Sequence, residues 1–343
     1  MPVARPLAVP YDLLIDFKRV KQSERGDEAM NQARNRVLVT GGAGFIGSHL
    51  CDALLRNDCS VICVDNFVTG ERANILGALD DAGFTLETVD VGEPFDFDID
   101  LIFHLASPAS PADYMRMPVK TMLANSLGTL NCLELAIRRG VRMLMGSTSE
   151  VYGDPQVSPQ GEQYFGHVNP VGPRSCYDEG KRFAEALCKA YEREREADVV
   201  IARIFNTYGS RMRGDDGRAV PNFVRQALAG EPLTIYGDGN QTRSFCHVSD
   251  MVRGLMLAMT TPEAGGEVIN LGNPNEIRVI DLATRVREKA RSSSPMAFEE
   301  LPADDPQRRQ PDIGKAMRML GWAPEMDLED GLEDIISWFK ENR

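Results

Sequence analysis

Short apolar runs recur along the chain at intervals: "RVLVT", "SVICVD", "LIFHLA", "VRMLMGS" and "VVIARIF". Longer segments between them carry apolar residues at helical spacing. That alternation predicts βαβ units built into a parallel sheet. After Asn206 the pattern loosens, with loops such as "GSRMRGDDGRAVP" and "YGDGNQTRSF" between helices. These predict a second, smaller lobe that closes over the first. Within it, "HVSDMVRGLMLAM" reads as an amphipathic helix led by Asp250, and "EVINLG" as a strand, a pair expected to return to the first sheet. The chain ends with a helix around "DGLEDIISWFKEN". The expected fold is therefore α/β, a Rossmann-type doubly wound parallel sheet with a smaller C-terminal substrate-binding lobe. Residues 35–205, joined by 245–272, form the first unit; 206–244 and 273–343 form the second. Residues 1–34 stand apart, with Pro2, Pro6 and Pro10, a short amphipathic piece and a polar run. They are expected to be a mobile extension, the alternative being a helix that packs on a neighbouring subunit. No internal repeat or low-complexity tract interrupts the pattern.

The first strand and helix are joined by "TGGAGFIGS", which sets Gly41, Gly44 and Gly47 between them. Glycines there permit a tight turn and let backbone N–H groups approach a pyrophosphate at the positive end of the helix. A lone glycine pattern is weak. This one follows a strand, opens a helix near Phe45 and Ile46, and is answered by Asp65 at the end of the next strand, the context that supports a dinucleotide site. A carboxylate at Asp65 accepts ribose hydroxyls and repels a 2'-phosphate, so NAD is expected rather than NADP. Asn66 follows it. Asp90 and Val91, and Leu105 and Ala106, sit at later strand ends and are expected to line the adenine and the pyrophosphate.

A second cluster of polar residues, "STSEVYGDP", stands where the strand "VRMLM" ends. Thr148 and Glu150 belong to it. Further on, "CYDEGKRFAEALCKAYERE" places Tyr177 and Lys181 four residues apart on one helix face. An ammonium beside a phenol favours phenolate, so Tyr177 is expected to have its pKa drawn down and to serve as acid and base. Spacing alone favours an ordinary surface pair. With a dinucleotide site and Thr148 nearby, the catalytic reading takes over: Thr148 holds a reacting oxygen while Tyr177 moves its proton.

Composition narrows the partners. A net charge of -13 over 343 residues and the absence of basic runs argue against nucleic acid or an anionic membrane surface. An anionic ligand must then be held by a few placed arginines. No stretch approaches the roughly 18 to 20 apolar residues of a membrane span, and the N-terminus lacks a signal-peptide core. The seven cysteines are odd in number and scattered, which suits reduced, structural thiols in a cytoplasmic protein. The four histidines lack metal-ligand spacing, so no metal is expected, and His104 is read as packing at a strand end.

The glycine turn, the polar strand end and Tyr-x-x-x-Lys resemble the extended short-chain dehydrogenase/reductase family, whose members act on nucleotide sugars. More narrowly, "TSEVYGDP", "GHVNPVGPRSCYDEGKR", "RIFNTYG", "DDGRAVPNF", "YGDGNQTRSF" and "DDPQRRQPDI" resemble the UDP-glucuronate decarboxylases, from about Arg36 to the last helix. The sequence departs from that pattern at Ser210, where a proline is usual, at Pro221, where a serine is usual, and in the unmatched N-terminal segment. The resemblance implies oxidation of UDP-glucuronate at C4, loss of CO2, protonation at C5 and re-reduction to UDP-xylose with the same NAD. It implies that Glu150 serves C5 protonation and that Arg309 holds the carboxylate. It further implies substrate contacts at Tyr114, Lys120, Asn125, Asn206, Tyr236 and Arg243, Arg218 near the cofactor, and a homodimer. Alternatives are a decarboxylase releasing the 4-keto pentose, a 4-epimerase, and, outside enzymes, an NAD-binding sensor that would be expected to have lost Tyr177 or Lys181.

Overall fold

The computed structural model describes residues 15, 17, 34–301 and 308–342. Strands β1 (Arg36–Thr40), β2 (Ser60–Val64), β3 (Phe84–Glu87), β4 (Leu101–His104), β5 (Arg142–Thr148) and β6 (Val199–Ile204) alternate with α1 (Phe45–Arg56), α2 (Pro111–Arg116), α3 (Pro118–Arg139) and α4 (Ser175–Arg195). The chain then passes through β7 (Thr207–Tyr208), α5 (Ala219–Ala229), β8 (Leu233–Tyr236), β9 (Thr242–Ser244), β10 (Cys246–His247), α6 (Val248–Thr260) and β11 (Val268–Leu271). It closes with β12 (Glu276–Arg278), α7 (Val279–Lys289), β13 (Met296–Glu299), β14 (Arg308–Arg309), α8 (Gly314–Leu320) and α9 (Leu328–Glu341).

Seven strands form one parallel sheet in the order β3, β2, β1, β4, β5, β6, β11. The order reverses between β1 and β4, so the carboxyl ends of these strands open a crevice, the place where such sheets bind ligands. Both faces are covered, which is why the central strands are apolar throughout and not alternating. α1 and α6 pack with one face, and α3 and α4 with the other. β11 does return to the sheet beside β6, as "EVINLG" suggested. The expected Rossmann-type doubly wound sheet is the observed one.

A separate apolar core gathers α5, α7 and α9 around β8. β8 pairs with β13, and β9 lies between β12 and β14. These small sheets stand at the crevice mouth. Of the N-terminal extension, Phe17 is buried against the first core and the Ile15 N–H donates to Asn57 Oδ1 at 2.7 Å. The mobility expected for the rest of that segment falls outside the described residues. All seven cysteines are free and buried. Among the described residues no helix is long and apolar enough to cross a membrane.

The tail is locked to α6 through Trp322. Its ring is fully buried against Gly254, where a Cβ would lie 3.0 Å away, and its Nε1 donates to Asp250 O at 3.0 Å. Replacing Trp322 by Ala removes both the packing and the partner, and should cost about 3–5 kcal/mol. Phe298→Ala, at an exposed position, should change stability by no more than about 0.5 kcal/mol. Urea unfolding of the two variants checks the contrast.

Candidate active site

The turn after β1 is shaped by close backbone approach. Gly41 adopts a left-handed φ of 72°, and a Cβ on it would meet Ala106 at 2.9 Å; a Cβ on Gly47 would lie 2.1 Å from Gly41 O. α1 starts at Gly44 with no side-chain cap, so its first N–H groups are available to an anion. Asp65 leaves β2 with Oδ2 accepting from Ala43 N at 2.9 Å and Oδ1 from Phe67 N at 2.8 Å. Burial raises its pKa, and these backbone N–H groups oppose the shift. Asn66 donates to Asp90 Oδ2 at 3.0 Å, tying together the ends of the second and third strands. Leu105 and Ala106 face the turn from the end of β4, where Thr40 accepts from the Ala106 N–H at 3.3 Å. His104 sits behind them between Thr40 (2.8 Å) and Thr129 (3.2 Å), and burial lowers its pKa to about 3. It is a neutral packing residue, as the sequence suggested.

At the end of β5 the chain turns through Ser149–Tyr152. The Thr148 hydroxyl accepts from Glu150 N at 3.2 Å and is hydrogen bonded to Tyr177. Glu150 is held from both oxygens: Oε2 accepts from Arg174 at 2.7 Å, and Oε1 from Arg309. Burial alone would raise its pKa, but the two guanidinium groups outweigh it and bring Glu150 down to about 2. Arg309 also donates to Gly153 O at 3.0 Å, and its buried Nε has no partner among the described residues. Alternation along β14 turns the neighbouring Arg308 outward onto Glu276. Of these adjacent arginines, Arg309 is therefore the one turned toward Glu150.

α4 carries Tyr177 and Lys181 one turn apart, both buried. The Lys181 ammonium donates to Gly146 O at 2.7 Å, and burial lowers its pKa to about 8. Tyr177 differs from the expectation that Lys181 draws it down. Burial dominates and raises it to about 12, with the Thr148 hydrogen bond and the Arg218 charge as the opposing influences. The ammonium is engaged by a backbone carbonyl of β5, which explains why its pull on the phenol is small here. The Tyr177 ring stacks on Tyr114, with centroids 5.0 Å apart, and Arg174 lies 6.0 Å over Tyr114.

One cavity of about 560 Å³ joins all these features. Gly41, Gly44, Phe45, Ile46, Gly47, Asp65, Asn66, Asp90, Val91, Leu105 and Ala106 line one end. Thr148, Glu150, Tyr177, Lys181 and Arg309 stand at its middle, with Tyr114, Lys120 and Arg218 beside them, and Asn206, Tyr236 and Arg243 at the far end. Arg218 is paired with Asp216 through two hydrogen bonds of 2.5 and 2.7 Å. Asn125 is not in the cavity wall. It is fully buried in α3, donating to Thr121 O at 3.0 Å, with its side chain where a Cβ on Gly180 would touch at 3.3 Å. In this structure Asn125 packs α3 against α4, with its Oδ1 buried and without a hydrogen-bond partner among the described residues.

Sequence reasoning missed Arg174. A signal existed: a cation at the N-terminus of α4 opposes the helix dipole and needs an acidic partner. It also passed over Asp178, which is buried in the same turn.

The family model described as NAD dependent epimerase/dehydratase matches residues 37–272. Among curated relatives, UDP-glucuronic acid decarboxylase 1 of Danio rerio is 52% identical over 306 residues, covering 89% of this chain and 73% of its own. UDP-glucuronic acid decarboxylase 6 of Arabidopsis thaliana is 53% identical over 302 residues, covering 88% of each. Among solved structures, the UDP-glucuronic acid 4-epimerase of Bacillus cereus, in complex with UDP-glucuronic acid and NAD, aligns with a TM-score of 0.81 at 31% identity. That alignment covers 90% of this chain and 100% of the other. UDP-glucose 4-epimerase of Thermotoga maritima, with UDP-glucose, aligns with the same TM-score at 30% identity, over 90% and 99%. The chain belongs to the NAD dependent epimerase/dehydratase family, and the relatives that share half of its residues are UDP-glucuronic acid decarboxylases.

Proposed function

We propose that this enzyme converts UDP-glucuronate to UDP-xylose and CO2. The observation that carries the reading is Glu150, held between Arg174 and Arg309 in the same cavity as Thr148, Tyr177 and Lys181. Oxidation and reduction at C4 require only the last three. An epimerase would leave the bracketed carboxylate without a task, and a sensor would have no use for the retained Tyr177 and Lys181.

The cradle at Gly41 and Gly47, the uncapped start of α1 and the Asp65 carboxylate fit NAD. When bound, NAD would supply the hydride acceptor, and afterwards the hydride donor, for C4. Thr148 and Tyr177 hold the C4 oxygen, and Tyr177 takes its proton and later restores it. Lys181 supplies positive charge beneath this pair. Once C4 is a carbonyl, the substrate is a β-keto acid, and the electrons released with CO2 flow into that carbonyl. Arg309 meets the departing carboxylate, a pairing for which a guanidinium is well shaped. Glu150 then serves proton delivery to C5, through a water. Asn206, Tyr236 and Arg243 hold the nucleotide part, which does not react and so retains the intermediate; release of a 4-keto pentose would require that grip to fail.

We assign 35–205 with 245–272 to cofactor binding, and 206–244 with 273–343 to the substrate. Buried free thiols support a reducing compartment, which we take to be the cytoplasm. Exposed Val119, Met122, Leu123 and Leu127 form a stripe along α3, with Phe183 exposed on α4, and this face supports a homodimer.

Mass spectrometry after incubation with UDP-glucuronate tests the activity, with UDP-xylose expected; UDP-galacturonate alone would overturn it in favour of an epimerase. NAD should bind more tightly than NADP, and Asp65→Ala should narrow the gap; equal affinities in the unmodified protein would contradict the role of Asp65. Tyr177→Phe should lower oxidation by roughly 100- to 10,000-fold. Glu150→Ala should instead act later, so that reduced-nicotinamide absorbance builds up during turnover; a flat signal with activity lost would show that Glu150 acts earlier. For the dimer, Leu123→Glu should give monomers in sedimentation, and an unchanged mass would refute the α3 face.

A further inference from the structure

Asp178 is a buried carboxylate that the chemistry above leaves without a task. It is 6% exposed, sits in the first turn of α4 directly after Tyr177, and donates its own N–H to Arg174 O at 3.1 Å. Among the described residues no donor reaches its Oδ1. A buried polar atom without a partner is rare enough in folded proteins to require a reason. Its charged surroundings come from three parts of the fold: Glu150 from the turn after β5, Arg174 and Glu179 from its own helix, and Arg309 from β14. The phenols of Tyr114 and Tyr177 also lie within its electrostatic reach. Burial is the main influence on Asp178 and the Glu150 charge the next; against the pull of Arg174 and Arg309 they raise it to about 7.

The charge balance of the cluster gives this arrangement a meaning. Glu179 is paired with Arg182 on the half-exposed side of α4; the two arginines and Glu150 that remain sum to one positive charge, which Asp178 cancels when ionised and leaves uncancelled when protonated. A uronate carboxylate entering the cavity is best received by the positive form. We propose that Asp178 takes up a proton when the uronate binds and holds the proton that decarboxylation consumes. This rests on the function proposed above. The step balances: the C5–CO2 bond breaks, CO2 leaves neutral, the electron pair moves into the C4 carbonyl as an enolate, and one proton must arrive at C5. That proton entered with the substrate, and its loss returns Asp178 to carboxylate. Asp178 does not line the cavity, so it acts through Glu150, which does. It is a positioning residue for a proton and not a group that touches the sugar.

The test is calorimetric titration in buffers of different ionisation enthalpy, which counts protons taken up on binding. Tyr177→Phe is the background, since it should bind UDP-glucuronate while oxidising it roughly 100- to 10,000-fold more slowly. At pH 8 about one proton should be taken up per site, and at pH 5.5 almost none, because Asp178 is already protonated there. UDP-xylose, which lacks the carboxylate, should bind without uptake at either pH. Asp178→Asn in the same background should bind UDP-glucuronate and abolish the uptake at pH 8. Uptake that persists in Asp178→Asn, or that is equal at the two pH values, overturns the proposal. The pH comparison needs no change at Asp178 and stands if that variant does not fold. Formation of UDP-xylose by the unmodified enzyme is measured in parallel, so failure of the catalytic reading shows as absent product and is separable from absent proton uptake.

Discussion

The bracketing of Glu150 by Arg174 and Arg309 is the constraint on which the rest of the site depends. It joins three parts of the chain that are remote in sequence: the turn after β5, the start of α4 and β14 of the second lobe. Each partner alone would be unfavourable where it stands. Glu150 would be a carboxylate in a desolvated place, Arg174 a cation at the wrong end of a helix, and Arg309 a guanidinium buried to 3% exposure. Together they compensate one another in part, leaving one net positive charge, and loss of Glu150 would take the shared carboxylate from both guanidinium groups at once. The lobe that carries Arg309 is therefore held at the crevice by the same contact on which the proposed chemistry rests.

A second layer beneath Glu150 restricts how its turn can move. Tyr152 donates to Asn270 Oδ1 at 2.8 Å and accepts from Arg203 at 2.9 Å; Arg203 in turn grips Glu185, which also receives the Ser147 hydroxyl at 2.6 Å. Asn270 lies on β11 and Glu185 on α4. The return of β11 to the sheet thus adds more than one further strand. It brings an amide to the base of the catalytic turn, and it explains why a segment so late in sequence belongs structurally with the first.

What the sequence disclosed and what it withheld divide along one physical line. Strands, the glycine turn, Asp65 and the Tyr177/Lys181 spacing are local: they follow from periodicity, steric need at Gly41 and Gly47, and one helical turn. Partner choice between remote residues is not local. Nothing in "RSCYDEGKR" says that Arg174 meets Glu150, or that the Lys181 ammonium finds Gly146 O in place of the phenol. Asn125 shows the same limit in reverse, since its position on α3 relative to Gly180 depends on how two long helices pack. Arg309 became identifiable through the resemblance, and the outward turn of Arg308 supplies the physical reason for preferring it.

Burial disfavours charge on both members of the Tyr177/Lys181 pair, raising the phenol to about 12 and lowering the ammonium to about 8. The opposite shifts have a common cause, the low-dielectric wall between α4 and β5, and they leave the pair reluctant to hold charge by itself. Glu150, in the same cavity, is driven the other way, to about 2, because its compensating charges are built in. The site therefore contains a carboxylate whose resting state is ionised next to a phenol and an ammonium whose charge depends on what enters the cavity. Such an arrangement separates the two tasks that decarboxylation through a ketone requires. In the proposed mechanism proton movement at C4 falls to Tyr177, while the uronate would be met by the arginines that bracket Glu150, with Asp178 adjusting its protonation to the added charge.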